Sequence, residues 1–358
     1  MNNPVWYMSI KNGDSMAERR EKLRRLLRGS GILEGIRKDD FTCIKLHFGE
    51  SKNTGFIHPD LVKDVAGAVS AKTCNAFLSD TNVLYKNSKR ANSVDHLKTA
   101  NEHGFSLNKT GVPVIIADGI SGRDYVNIDI DKKHFKSVKI ARDMASCDSM
   151  VVLTHVTGHM YTGLGGAIKN LGMGCASRRG KYEQHSGAIP TVDRKYCVSC
   201  GLCVSGCPGS CIVMDAGKAR IREESCIGCG ECVVACRTKA INIKWSEKLE
   251  NLQEKMVEYA CGAVKAVRGE AVFISFLLKI TKNCDCMAED EPAIIEDIGI
   301  LASRDPVAMD KASVDLVNER GGRDMFAAAN PVTRWAAQIE YAERCGLGNT
   351  AYTLEEIS

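Results

Sequence analysis

Two runs of four cysteines are the residues whose types and spacing most directly indicate chemistry. Each run has the spacing C-x2-C-x2-C-x3-C, and the runs comprise Cys197, Cys200, Cys203 and Cys207, then Cys226, Cys229, Cys232 and Cys236. Two residues between thiolates allow a tight turn to direct three sulfurs to one cubane, while the fourth cysteine ligates the other cluster. The sequence therefore predicts two [4Fe-4S] clusters, cluster A on Cys197, Cys200, Cys203 and Cys236 and cluster B on Cys226, Cys229, Cys232 and Cys207.

Two other uses of these cysteines are less consistent with the spacing. Zinc sites usually pair two CxxC units and do not need a doubled run of four, and a disulfide framework is expected in small secreted chains. Arg237 occupies the position after the fourth cysteine of the second run, where proline is usual. This difference affects the turn but removes no cluster ligand. Cys211 lies outside both runs and is read as an ordinary buried thiol.

Polar residues follow the predicted strands and form a second group of candidates. They are His47, Glu50, Asp80, His155 and Asp305. Because the carboxyl ends of parallel strands meet at one edge of a sheet, these side chains are expected to gather around a common pocket. The alternative is that the acidic residues only cap the helices that follow, as Asp305 before Pro306 is expected to do.

The glycine-rich stretch from His155 to Asn170 is the densest part of this predicted pocket. His155 and His159 could ligate a metal or move protons, and Lys169 adds a positive charge. We take these three as the candidate catalytic residues. The glycines and the following helix start could present backbone amides to an anion, but they fit close helix–sheet packing equally well.

Cys284 and Cys286 follow a buried strand and are separated by one residue. They could bind a metal together with a histidine, or act as a redox pair beside the clusters. A disulfide between them would close a small and strained ring. The alternative is that both are inert surface thiols.

The elements that must position these residues alternate between strand and helix, which predicts an α/β domain with a mainly parallel sheet and flanking helices. Ser15 and Glu18 form a predicted capping box, and Asn330 with Pro331 is expected to start the last helix. The pattern is interrupted by the cysteine runs. We therefore predict an inserted α+β, ferredoxin-like two-cluster module at residues 188–244, between two parts of the α/β domain at 1–187 and 245–358.

Composition narrows the class of protein. The chain has 358 residues, 17 of them cysteine, and no signal-peptide pattern, which favours a reducing and anaerobic cytoplasm. The apolar run Ala271–Leu278 is too short to span a bilayer. A net charge of +4 gives no indication of a nucleic-acid partner, and the basic run Arg19–Arg28 has the spacing of a solvated helix face.

Four segments of the chain resemble the family of domains of unknown function 362. They are KLHFGE (Lys45–Glu50), SDTNVLY (Ser79–Tyr85), LTHVTGH with GLGGAIKNLGMG (Leu153–Gly174), and DIGILASRDPVAMDKASVDLV (Asp297–Val317), and the CDC pair fits the same pattern. The resemblance implies an iron–sulfur protein of anaerobic bacteria or archaea that carries a bacterial-type ferredoxin module. It implies no substrate.

Three functions fit these features. In the first, an oxidoreductase or electron carrier, the clusters exchange electrons between a redox partner protein and a small-molecule substrate or metal in the pocket. In the second, a binding or cofactor-maturation protein, the clusters are structural or sensory. In the third, a metal-dependent enzyme without redox chemistry would use His155, His159 and the CDC pair.

Overall fold

The computed structural model describes residues 3–84, 88–185, 189–207, 209–226, 230–242, 248–287 and 289–357. Its strands are Asn3–Ser9 (β1), Phe41–Lys45 (β2), Asn75–Asp80 (β3), Val114–Ile116 (β4), Tyr125–Asp129 (β5), Ser137–Ala141 (β6), Ser149–His155 (β7), Thr157–His159 (β8), Gly163–Gly165 (β9), Thr191–Val192 (β10), Ile212–Asp215 (β11), Lys218–Ile221 (β12), Ile241–Asn242 (β13), Ala271–Leu277 (β14), Gly299–Ser303 (β15) and Tyr352–Glu356 (β16). Its α-helices are Met16–Ser30 (α1), Pro59–Ser70 (α2), Ser93–Glu102 (α3), Leu107–Thr110 (α4), Arg142–Ala145 (α5), Ala167–Gly172 (α6), Arg178–His185 (α7), Leu202–Ser205 (α8), Glu231–Ala235 (α9), Leu249–Ala266 (α10), Pro306–Gly321 (α11), Met325–Ala329 (α12) and Ala336–Arg344 (α13).

A large, mostly parallel sheet organises the described residues. Its strand order is β16-β1-β15-β14-β7-β2-β3-β4, and β14, β7, β2, β3 and β4 run parallel to one another. Neighbouring residues of its central strands face opposite sides. Cys43 and Val152 lie in one hydrophobic core, and Ile44 and Val151 lie in the other. Because both faces are covered, the central strands are apolar almost throughout, and the predicted α/β fold class is confirmed.

Strand β15 runs antiparallel to both of its neighbours, β14 and β1. Its carboxyl end therefore lies at the edge of the sheet opposite to the ends of β2, β3, β7 and β14. Asp305 follows β15 and caps α11, accepting hydrogen bonds from the amides of Val307 and Ala308 at 2.8 and 3.0 Å. The expectation that Asp305 joins the other strand-end residues is thus wrong, whereas its predicted capping role is confirmed.

Local signals at the helix ends were reliable in some places and misleading in others. The capping box of Ser15 and Glu18 is present at the start of α1. Asn330 ends α12 instead of starting the last helix, which begins at Ala336. The glycine-rich stretch predicts a helix over Leu164–Leu171, but its expected start is wrong. Gly163–Gly165 pairs with Thr157–His159 as a β-hairpin, so α6 begins only at Ala167.

The cysteine-rich segment, residues 189–242, has a small core of its own. Its strands pair as β10 with β13 and as β11 with β12, and its buried core includes Cys203, Ile212, Cys232 and Ile241. Residues 187, 188 and 243–247 lie outside the described residues, so the predicted boundaries at 187/188 and 244/245 stay predictions. The sequence also predicts one long helix over Trp245–Val267; α10 occupies Leu249–Ala266 of that range, and the expected start at Trp245 lies outside the described residues. Within the part of the chain that the structure describes, no helix is long and apolar enough to cross a membrane.

Candidate functional site

The cysteines of the two runs line two separate cavities in the cysteine-rich segment. One cavity encloses about 360 Å³, and its cysteines are Cys197, Cys200, Cys203 and Cys236. The other encloses about 290 Å³, and its cysteines are Cys207, Cys211, Cys226 and Cys232. In the first cavity three cysteines of one run thus lie beside the fourth of the other, and in the second cavity the described Cys226 and Cys232 lie beside Cys207. This is the grouping that crossed ligation requires. Cys229 lies outside the described residues, and ligation of iron stays a prediction.

Backbone amides point at several of these sulfurs. Ala219 donates to Cys197 Sγ at 3.4 Å, Ala240 donates to Cys236 Sγ at 3.2 Å, and Cys211 donates to Cys207 Sγ at 3.4 Å. The amide of Ala219 is the largest cause of the lowered pKa of Cys197. Donors of this kind stabilise thiolates bound to iron, so the donor set fits a [4Fe-4S] cluster in each cavity.

Cys211 is the additional thiol in the second cavity. Its sulfur lies 3.3 Å from Cys207 Sγ, and burial raises the pKa of Cys211 to about 12. The prediction that Cys211 is a buried thiol is confirmed, and its place outside the ligand set stays a prediction.

A much larger cleft of about 1020 Å³ lies at the carboxyl ends of β2, β3, β7 and β14. We call it the strand-end cleft. Its lining residues with ionisable side chains are Lys45, His47, Asp80, Arg90, His155, His159, Lys169, Lys181, His185, Cys284, Asp285 and Cys286. The parallel strands thus bring together His47, Asp80 and His155 as predicted, together with His159, Lys169 and the CDC pair. Glu50 lies just behind this lining, with its carboxylate 3.4 Å from Arg90 Nε.

The two thiols of the CDC pair face each other inside this cleft. Cys284 Sγ lies 2.7 Å from Cys286 Sγ, and Lys169 Nζ lies 3.7 and 3.8 Å from these two sulfurs. The hydrogen bond from Cys284 is the main cause of a pKa of Cys286 well below its usual value, and Lys169 and His47 lower it further against the effect of burial. The pKa of Cys284 is raised, so one proton is shared by a thiol–thiolate pair.

His155 holds the residue between the two thiols. Its Nδ1 lies 2.9 Å from Asp285 Oδ2, and its Nε2 lies 2.7 Å from the carbonyl oxygen of Leu278. Burial opposes the charged form, but Asp285 more than offsets it and raises the pKa of His155. Both ring nitrogens therefore act as donors of an imidazolium, which positions the CDC loop and leaves no lone pair for a metal.

His159 has the opposite protonation state. Its Nδ1 accepts hydrogen bonds from the amides of Tyr161 and Thr162 at 3.2 and 3.1 Å, so the proton of the neutral ring is on Nε2. Burial lowers the pKa of His159 well below its usual value, and the charge of Lys169 lowers it further. His159 thus lines the cleft as a neutral hydrogen-bond donor.

Buried cations lie on the floor of the cleft. Lys45 Nζ lies 3.1 Å from Asp80 Oδ1, and this charge helps to lower the pKa of Asp80 against the effect of burial. Burial also lowers the pKa of Lys181 to about 8. Among the described residues that line the cleft, four are lysine or arginine and two are aspartate. The cleft therefore favours anionic ligands.

Helix α7 forms a wall between this cleft and the cysteine-rich segment. Lys181 and His185, one turn apart, line the cleft, whereas the ring of Tyr182 is packed in the core that contains Cys203 and Cys232. Gly230 approaches this ring so closely that a Cβ atom there would overlap it. An ion pair between Arg179 and Glu231 joins the same two parts.

Comparison with known proteins places this arrangement in a family. Residues 42–315 match the family described as "Domain of unknown function (DUF362)". The chain belongs to this family. The match spans the strand-end residues and the cysteine-rich segment, so the resemblance drawn from the sequence is confirmed, while the ferredoxin-like module stays a prediction. No curated protein matches the chain.

Two solved structures are similar to this DUF362 chain at low identity. One is a protein from Thermotoga maritima, at 9% identity and a TM-score of 0.42 over 94% of this chain and 60% of that chain. The other is the lactate racemase apoprotein from Thermoanaerobacterium thermosaccharolyticum, at 10% identity and a TM-score of 0.39 over 76% of this chain and 56% of that chain. The chain thus spans about three fifths of the length of either structure.

Asp310 is a buried residue behind the glycine-rich stretch that the sequence interpretation missed. Its carboxylate accepts hydrogen bonds from the first amides of α6, those of Ala167 and Ile168, at 2.6 and 3.0 Å. Those two amides are therefore not open to an anionic ligand, which was one of the two interpretations of the glycine-rich stretch. An aspartate among the apolar positions of α11 was the available signal, because a buried carboxylate requires partners. Arg90, in a loop, gave no comparable signal.

Proposed function

We propose that this chain is an iron–sulfur redox protein that exchanges electrons with a ligand in the strand-end cleft. The observation that carries the proposal is the grouping of the run cysteines into two cavities, with α7 between them and the cleft. Bound [4Fe-4S] clusters would supply one-electron transfer. The cysteines would hold the clusters, the amides of Ala219 and Ala240 would tune them, and Lys181 and His185 would meet the ligand on the other side of α7.

The proposal includes the division of the chain. Residues 188–244 would be an inserted ferredoxin-like module, and residues 1–187 and 245–358 would form the α/β domain. The separate small core around Cys203 and Cys232 supports this division. The contact of Tyr182 with that core supports electron exchange inside the chain, without a requirement for a second protein between the clusters and the cleft.

Anaerobic purification followed by iron and sulfide analysis tests the proposal. Two cubanes require about eight iron atoms per chain, and reduction by dithionite should give the paramagnetic signal of reduced clusters. Cys203→Ser should lower the iron content by about half or more, because Cys203 lines the first cavity. Cys74→Ser, at an exposed cysteine outside both runs, is the matched control and should keep it. Stoichiometric zinc without iron would refute the proposal.

A binding or maturation protein is a second candidate, and Arg90 is the observation that favours it. This side chain is buried in the cleft lining. Its Nε faces the Glu50 carboxylate at 3.4 Å, and within the described residues its Nη2 atom has no hydrogen-bond partner. An anionic ligand would supply one. Clusters that are present at full iron content but are not reduced by dithionite would favour this candidate over electron exchange.

A further inference from the structure

We propose that Cys284 and Cys286 form a redox-active thiol–disulfide pair that reduces a small anionic disulfide bound in the strand-end cleft. The 2.7 Å separation of the two sulfurs is the first observation. Bond formation requires an approach to about 2.0 Å, so only a small movement of the loop separates the dithiol from the disulfide. Ring strain makes a disulfide of this kind labile, so the pair would cycle between dithiol and disulfide, which is the property of catalytic rather than structural pairs.

The loop is held in the conformation that brings the sulfurs together. Asp285 is bound by His155, and its carbonyl oxygen accepts a hydrogen bond from the amide of Glu50 at 3.1 Å. The amide of Met287 closes the turn on the carbonyl oxygen of Cys284 at 3.0 Å. Gly55 allows the close approach of the Asp285 carboxylate, since a Cβ atom there would lie 2.7 Å from Asp285 Oδ1. The two thiols thus flank an anchored residue.

The charges around Cys286 favour a nucleophilic thiolate. Lys169 and His47 lower the pKa of Cys286, and Arg90 also interacts with it electrostatically. Asp285 is the opposing carboxylate, and its charge is offset by His155. The thiolate, not the thiol, attacks disulfides. Cys284 is buried, whereas Cys286 is partly exposed in the cleft, so Cys286 is the attacking group and Cys284 is the resolving group.

The reaction balances in two steps. Cys286 thiolate attacks a disulfide RSSR, forms the mixed disulfide and releases RS⁻, and Cys284 then attacks Cys286 Sγ, releases the second RS⁻ and passes its proton to it. The products are RS⁻, RSH and the Cys284–Cys286 disulfide. The return of two electrons and one proton restores the thiol–thiolate pair. This last step rests on the proposed function, since two bound clusters would supply one electron each.

Mass spectrometry of the anaerobic holoprotein tests the thiol chemistry. The tryptic peptide Asn283–Arg304 contains Cys284 and Cys286 and no other cysteine. After exposure to oxidised glutathione, an anionic disulfide, this peptide should be two hydrogens lighter and resistant to alkylation. Cys284→Ser should stop at a glutathione adduct on Cys286, and Cys286→Ser should give no intramolecular disulfide. Cystamine, a cationic disulfide, should react at least ten-fold more slowly.

Lys169→Met tests the positioning role of the lysine. At neutral pH the variant should react with oxidised glutathione at least ten-fold more slowly, and its pH–rate profile should shift to higher pH, because the thiolate loses a neighbouring charge.

Cys43 and Cys147 are an internal control. They hydrogen-bond each other in the core and do not line the cleft, so they should stay reduced under the same treatment.

The outcomes separate this inference from the proposed function. Two free thiols in peptide Asn283–Arg304 of the wild-type protein after oxidant treatment would refute the inference, whatever the iron content. Equal reaction rates with glutathione disulfide and cystamine would refute the preference for an anionic disulfide. Rapid thiol chemistry in a protein without iron would support the inference. It would refute the claim that iron–sulfur clusters return the electrons to the thiol pair. These results come from the wild-type chain, so they do not depend on the folding of any variant.

Discussion

Gly230→Ala tests the contact between the cysteine-rich segment and helix α7, on which electron exchange within the chain depends. Gly230 has φ = +72°, and a Cβ atom there would overlap the ring of Tyr182. Gly201 is its counterpart in the first cysteine run, with φ = +73° and no atom within 4 Å of an added Cβ. Both substitutions place alanine in the left-handed region, so Gly201→Ala is a matched control for backbone strain.

The difference between the two variants comes from Tyr182. The left-handed backbone costs about 1–2 kcal/mol in each variant. The ring of Tyr182 is fully buried, so it cannot move aside freely, and overpacking adds about 1–3 kcal/mol in Gly230→Ala alone. That penalty corresponds to a roughly 5- to 150-fold increase in the local opening of α7 against the cysteine-rich segment.

Hydrogen exchange of the α7 amides measures this opening, and it does not depend on bound iron. Gly230→Ala should speed exchange in Arg178–His185 by about 5- to 150-fold, while Gly201→Ala should leave those rates near the wild-type values. Tyr182→Leu in the Gly230→Ala background should recover part of the protection, as expected for two residues in contact. Equal exchange of α7 in both single variants would refute the packing of Tyr182 on Gly230.

Two further predictions concern buried carboxylates. Burial raises the pKa of Asp310 to about 7, so from about pH 4 to pH 7 the folded chain retains a proton that the unfolded chain releases, and stability should fall as the pH rises through that window. Asp310→Asn should flatten this slope in urea unfolding measured at several pH values, and an unchanged slope would contradict the assignment. The raised pKa of His155 and the lowered pKa of Asp285 mean that their ion pair contributes fully between about pH 4 and about pH 6.5. Its contribution is lost as the pH rises through the folded-state pKa of His155 or falls through that of Asp285. Asp285→Asn should destabilise the protein by about 3–5 kcal/mol and speed alkylation of Cys286, whereas a wild-type alkylation rate would show that the pair does not anchor the loop.

The placement of the cleft residues could be predicted because it depends on strand direction alone. Once β2, β3, β7 and β14 are parallel, the residues that follow them must meet at one edge of the sheet, and His47, Asp80, His155 and Cys284 do so. Periodicity cannot give the direction of a strand, so Asp305 was placed at the wrong edge. The connection from β14 to β15 contains no α-helix among its described residues, and a parallel crossover usually needs one. The missing helix was therefore the feature that could have indicated an antiparallel β15.

Helix α7 could not be predicted from its residues, RRGKYEQH, because they carry no apolar stripe. What stabilises it is tertiary. Lys181 donates to the carbonyl oxygen of Ala176 at 2.7 Å, Gln184 donates to the carbonyl oxygen of Gly172 at 3.0 Å, and Tyr182 is buried against the cysteine-rich segment. A polar sequence can form a helix where its side chains have such partners, and these partners lie outside the helix itself.

The same polarity explains why α7 suits its place between the two cores. A helix with an apolar face toward the cleft would exclude the charged ligand that Lys169 and Arg90 favour, whereas α7 presents Lys181 and His185 there. The ring of Tyr182 faces the cysteine-rich segment and packs in the core that contains Cys203 and Cys232. A single helix, about 10 Å across, is then the barrier between the predicted clusters and the thiol pair. On the proposed function electrons would cross this one helix, so the contact of Tyr182 with Gly230 is the part of the structure on which that function depends.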